Sequence, residues 1–222
     1  MRMDQKELTE LATSNLDKVL QALDRGDTAT ARAHALTMEK EAKHAHDIMT
    51  EFVCVLLTYI GKNYGDDEVL KAMRSRHSGQ PQVAERMLGM SPEDAVRFKT
   101  MIHRSHHSRM VLTEEKDRYV LKLDPCNTGG RILREGLDKP PVSIGKFQKN
   151  QPETWNQTDV PYYCGHCAIH AITGVEKGAP HPTWIYDRPK NPADPCYQYC
   201  YKRTQDVPEK NFSELGLKKP AP

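Results

Sequence analysis

The apolar positions of the first 108 residues recur at intervals of three and four, the spacing that lines one face of an α-helix. A first helix is predicted over residues 4–25, closed by Gly26, a residue suited to a C-terminal cap. Asp27 or Thr28 then caps a second, longer helix that reaches about residue 64. Within it Ile48, Phe52, Leu56 and Ile60, with Met49, Val53 and Leu57, form a wide apolar stripe. Cys54 falls inside the stripe and reads as packing. Gly65 and Asp66 interrupt the pattern, and residues 67–76 predict a short third helix. Ser91-Pro92-Glu93-Asp94 supplies an N-cap, a proline at the first helical position and acids in the first turn. A further helix is therefore expected from there to about residue 107.

From residue 109 the period changes to two. Residues 109–113 and 118–123 alternate as strands, and the polar Glu114-Glu115-Lys116-Asp117 between them predicts a hairpin. Pairing Thr113 with Arg118 sets Leu112 opposite Tyr119 and Met110 opposite Leu121, with one apolar face inward. Continued backwards, this register brings Ser105 and His106 level with Cys126 and Pro125.

After Lys139 the periodicity is lost. Twelve of the fifteen prolines, both tryptophans and six of the nine tyrosines lie there, so long regular helices are not expected. Loop-rich sequence without a large aliphatic core usually needs a staple, and a metal ion is the one compatible with reduced thiols. The tail from about Val207, rich in Lys and Pro, is expected to be loosely held. The fold class that follows is α+β: a helical N-terminal half (1–108), then a β-hairpin and a loop-rich, metal-binding C-terminal half (109–222).

Composition narrows the function classes. The 222 residues carry a formal net charge of +2 with both signs interspersed, and no basic run interleaved with aromatics marks a nucleic-acid surface. No apolar signal-peptide core follows Met1, and the longest apolar run, 52–60, is too short to cross a bilayer. The expectation is a cytoplasmic protein with neither nucleic acid nor membrane as partner, able to form a homo-oligomer through its helical half. Thiols stay reduced in that compartment, so six cysteines point to metal binding or catalysis.

The densest chemistry lies in Pro161-Tyr162-Tyr163-Cys164-Gly165-His166-Cys167, with His170 just beyond. A Cys-x-x-Cys pair offers two thiolates to one soft metal ion, and the hairpin offers Cys126 as a third. His103, His106 and His107 close a helix at spacings that put His103 on one face with either partner, while His166 and His170 compete as nearer imidazoles. A His-rich helix end also complements the helix dipole without binding anything. The expected metal set is Cys126, Cys164, Cys167 and His103, holding zinc or, alternatively, iron.

Asp124-Pro125-Cys126-Asn127-Thr128-Gly129-Gly130-Arg131 reads as a strand entering a tight glycine turn. Backbone N–H groups of Gly129 and Gly130 with the Arg131 guanidinium could hold an anionic group, and Tyr163 could line the same pocket. The bland reading is a turn with Arg131 on the surface. Cys196 and Cys200 could complete a four-thiolate site, form a second one, or be buried among their neighbouring tyrosines. Glu41-Ala42-Lys43-His44 has the Glu-x-x-His spacing of carboxylate-bridged di-iron bundles, but no second copy exists and its charged surroundings read as solvated surface. No phosphate-binding glycine loop and no serine elbow is present.

In its letters, Cys164-Gly165-His166-Cys167 resembles the active-site motif of protein disulfide isomerases. The resemblance covers four residues and implies a dithiol–disulfide oxidoreductase on a thioredoxin fold. The 55 residues after Cys167 are proline-rich, and Pro161-Tyr162-Tyr163 replaces the tryptophan-preceded form of that family. The expected function is thus a metal-dependent hydrolase or lyase acting on a small carboxylated molecule. His106, His107 and His166 are the candidate acids and bases, since imidazole titrates near neutral pH. The alternatives are a binding or regulatory module with a closed structural zinc, and the dithiol oxidoreductase.

Overall fold

The computed structural model describes residues 3–78, 88–189, 191 and 193–221, and it is α+β. It divides into two compact units, residues 1–49 and 50–222, so the division falls inside a helix.

In the first unit the expected helix over 4–25 is two helices, α1 (Gln5–Ala12) and α2 (Asn15–Asp24). Thr13 is extended, and the Ser14 side chain accepts the Asp17 N–H, so a serine hydroxyl restarts the helix. Gly26 adopts φ +73°, as its capping role requires, and Asp27 accepts the Thr30 N–H to begin α3 (Thr28–Tyr64). Glu41 accepts from the Asn15 side chain at 2.8 Å and His44 is exposed, which matches the solvated reading of that pair.

In the second unit α3 buries Cys54 and Leu57, while Phe52, Leu56 and Tyr59 remain exposed. The inward face is therefore centred on Cys54, Leu57, Thr58 and Gly61 rather than on the widest apolar stripe. Thr58 Oγ1 accepts the Gly145 N–H, and an added Cβ at Gly61 would overlap Tyr162 Oη. That hydroxyl donates to buried Asp66, whose other oxygen accepts the N–H groups of Gln148 and Lys149. Helix α4 (Asp66–Ser78) follows, and α5 (Pro92–Ser105) starts where Ser91 accepts the Asp94 N–H.

The hairpin forms from β1 (Met110–Glu114) and β2 (Arg118–Leu123), with its register shifted by two residues from the expected one. Leu112 faces Leu121 and Met110 faces Leu123. The Glu115 N–H bonds the Arg118 carbonyl and closes a two-residue loop at Lys116-Asp117, so Glu114 stays in the strand, where Lys202 binds its carboxylate. A slip of two preserves which side chains face inward.

The largest departure is in the C-terminal half. Residues there form β5 (Ile185–Asp187) and β6 (Cys196–Tyr201), and the antiparallel sheet has the order β1-β2-β6-β5. Cys196, Gln198 and Cys200 pair with Leu123, Leu121 and Tyr119, and so share the face covered by α5. The tyrosines of β6 occupy the other face, and Ile185, Tyr201, Val207 and Phe212 form a second cluster there. Val207 and Phe212 are fully buried, the latter on the short helix α8 (Glu209–Ser213), and Lys219 donates to the carbonyls of Gln205 and Val207. The tail is thus anchored rather than loose, because its few apolar residues reach a gap under the sheet. Two further helices, α6 (Gly129–Arg134) and α7 (Gly165–Glu176), and a small pair of strands, β3 (Lys146–Phe147) and β4 (Val160–Pro161), complete this unit.

Candidate functional site

The expected Cys-x-x-Cys segment leaves β4 through a single 3-10 turn, Tyr162–Cys164, and enters α7. Cys164 stands at the N-cap position and Cys167 in the first turn. Ala168, Ile169, Ala171 and Ile172 bury one side of this helix in the main core, which fixes where the two thiols emerge. Cys126 follows the end of β2, and Cys196 begins β6 opposite Leu123. Cys126, Cys164, Cys167 and Cys196 all line one cavity of about 580 Å³. All six cysteines are free thiols. Cys54 is buried against Ile132 and Ile144, and Cys200 directs its Sγ to the Pro92 carbonyl at 3.8 Å.

The glycines after Cys126 matter for a reason other than an anion-binding turn. They open α6, and an added Cβ at Gly129 would overlap Cys164 Sγ, while one at Gly130 would lie 3.0 Å from Cys126 Cβ. Their missing side chains let the thiols of two distant segments approach. Arg131 does not line the cavity: it is 4 % exposed and its Nη1 donates to Glu51 at 2.9 Å and to Glu135 at 2.8 Å. Its guanidinium is committed to structure.

The histidines divide. His103, His106, His166 and His170 line the cavity, whereas His107, at φ +53° just beyond α5, does not. His103 Nε2 lies 3.1 Å from Gln198 Oε1; since that oxygen only accepts, the proton is on Nε2 and Nδ1 keeps the lone pair. Burial, with Lys99 nearby, lowers its pKa to about 3. His166 Nδ1–H donates to the Tyr163 carbonyl, and its Nε2 lies 3.6 Å from Cys167 Sγ. Burial lowers the His166 pKa to about 4, so both imidazoles are neutral at pH 7. Tyr163 also lines the cavity, with its ring edge-on to His166 at 4.9 Å.

Burial dominates the thiols as well. It raises Cys167 to about 11, against the pull of Lys99, and it raises Cys164 and Cys196 too, with contributions from neighbouring thiols. Bare, these are protonated thiols at neutral pH, the opposite of the activated thiolate that dithiol exchange uses. Among the described residues no three His, Cys, Asp or Glu side chains already stand as a ready group of metal ligands.

The residue that sequence reading passed over is Lys99. It lies on α5 four residues before His103 and seven before His106, and it lines the same cavity. That spacing of polar residues along an otherwise packed helix face was the available signal. Gln198 and the aromatics Trp184 and Tyr186 complete the wall. Among the described residues no helix is long and apolar enough to cross a membrane. Comparison with protein-family models, curated proteins and solved structures finds no match for this chain.

Proposed function

We propose that the protein is a metal-dependent enzyme, a hydrolase or lyase of a small anionic molecule, working in a reducing compartment such as the cytoplasm. Cys126, Cys164 and Cys167 hold zinc, with iron as the alternative. One observation carries this reading: four thiols from three separate chain segments open onto a cavity large enough for a ligand. Buried thiols raise one another's pKa, and a bound cation removes that penalty by taking them as thiolates. Because the ligands are not preset, loading requires the cysteine side chains to rotate toward one another. The ion would supply a Lewis acid and a water of lowered pKa. Around it, His166 and His106, two of the four histidines that line the cavity, would move a proton.

Elemental analysis of aerobically and anaerobically purified protein tests the proposal. One zinc or iron per chain, lost in both Cys126→Ser and Cys164→Ser, is the expected result. Absence of metal from every wild-type preparation overturns it. The 3.6 Å approach of His166 Nε2 to Cys167 Sγ favours dithiol chemistry as the second reading. A reversible Cys164–Cys167 disulfide in metal-free protein would establish that one instead.

A further inference from the structure

Lys99 occupies an unusual position for a lysine. Such side chains normally run along apolar surface and place the ammonium in bulk water. Here Nζ donates to Tyr186 Oη and lies over two rings, 4.6 Å from the Tyr186 centroid and 5.8 Å from that of Trp184. Among the described residues no carboxylate forms an ion pair with it. An ammonium held this way is unfavourable unless a counter-charge meets it. Burial lowers the Lys99 pKa, and the nearby groups that oppose this are the thiols of Cys167, Cys196 and Cys126, which are no standing counter-charge while protonated. The rest of the wall adds to the imbalance: Arg76, Arg134, Lys177 and Arg188 line the cavity with Lys99, against Asp194 as the one acid among its described lining residues.

We propose that Lys99 is the anion seat of this cavity. It receives the carboxylate of a small molecule whose apolar or aromatic body lies against Trp184 and Tyr186, with the opposite end toward Cys126, Cys164 and Cys167. This deepens the enzyme reading, on which it rests for the identity of the cavity as an active site. The chemistry favours a carboxylate over a phosphate because one ammonium and one tyrosine hydroxyl match a monoanion. A dianion needs more donors than this seat provides. A cavity of about 580 Å³ accommodates a molecule of that size.

Titration calorimetry on the full chain with benzoate, benzamide and phenyl phosphate tests the assignment. Benzoate is expected to bind, benzamide to bind much more weakly, and phenyl phosphate to bind no better than benzoate. Lys99→Gln is expected to weaken benzoate about 10- to 100-fold, the range for a charge-assisted hydrogen bond, with Lys99→Arg retaining most of the affinity. Equal benzoate affinity in wild type and Lys99→Gln overturns the proposal, as does tighter binding of phenyl phosphate. Metal content is measured in the same samples. Loss of metal from Lys99→Gln would make the ammonium a counter-charge for thiolates and overturn the seat. Benzoate binding that survives in metal-free Cys126→Ser or Cys164→Ser supports the seat, whatever becomes of the metal reading. If Lys99→Gln does not fold, protection of wild-type Lys99 by benzoate against reductive dimethylation, read by peptide mass spectrometry, replaces it. Protection at Lys99 supports the seat, and unchanged modification overturns it.

Discussion

Gly129 and Cys164 are packed so closely that a Cβ on Gly129 would overlap the Cys164 sulfur. Gly129 has no unusual φ, so its backbone would accept alanine, and in an open helix that exchange is stabilising by up to about 1 kcal/mol. Here the sign reverses. Gly129→Ala is expected to cost about 1–3 kcal/mol in urea unfolding, the range for overpacking, and to expose Cys164 to thiol reagents. Gly174→Ala in α7, where nothing lies within 4 Å of an added Cβ, is the control and should stabilise. Equal effects at the two positions would show that the Gly129–Cys164 approach is not a constraint.

Cys196 and Cys200 lie on the same face of β6 but differ in what they meet. The first opens on the cavity, while the second is 1 % exposed and points at the Pro92 carbonyl. Cys200→Ala is expected to cost about 1 kcal/mol of stability, as for other small core truncations, and to leave metal content unchanged. Cys196→Ser should also keep the metal if Cys126, Cys164 and Cys167 suffice. Metal loss from Cys196→Ser alone would make Cys196 the fourth ligand of a closed site and favour the structural-zinc module.

The elements legible in the sequence are those set by local chemistry. Ser91 with Pro92 started α5 as expected, and the alternation from residue 109 gave the hairpin and its inward face. The same end of that hairpin does bring Cys126 to the histidines, since the Asn127 side chain donates to the His106 carbonyl. Strand β6 was not legible. Cys-Tyr-Gln-Tyr-Cys-Tyr has no aliphatic residue, and it becomes a strand by pairing with β2 from more than 70 residues away. Arg131 misled for a related reason: its sequence neighbours are glycines, but its partners are Glu51, 80 residues earlier, and Glu135. The seat proposed for Lys99 was equally hidden, since the rings beside its ammonium stand at positions 184 and 186.

Arg131 and its two carboxylates give an asymmetric prediction. The guanidinium is 4 % exposed, whereas the side chains of Glu51 and Glu135 are 41 % and 49 % exposed. Removing the arginine leaves carboxylates that water can reach. Removing both acids strips a buried cation of two counter-charges, and the cost falls on a group that water does not reach. Glu51→Gln with Glu135→Gln is therefore expected to destabilise more than Arg131→Met in denaturant unfolding. Neither change should alter benzoate affinity by more than about twofold, since a twofold change is under 0.5 kcal/mol. A large loss of benzoate binding in Arg131→Met would return the anion-binding role to the Gly-Gly-Arg turn.

His103 gives the clearest pH dependence. Its folded-state pKa, lowered by burial to about 3, lies below the ordinary value of 6.5. Between those values the unfolded chain binds a proton that the folded protein refuses. Stability contributed by the neutral imidazole is thus complete above about pH 6.5 and is lost as pH falls toward 3, with a slope of up to about 1.4 kcal/mol per pH unit for one proton. Lys99, His106 and His166 face this ring and help to keep the proton off it. His103→Gln places an amide beside Gln198 that takes no proton and leaves those neighbours in place. Urea unfolding at pH 7, 6, 5 and 4 should show wild-type stability falling more steeply than that of His103→Gln, the two curves converging toward acid. Parallel curves would mean that His103 takes up its proton in the fold as it does in the unfolded chain, so that burial does not lower its pKa.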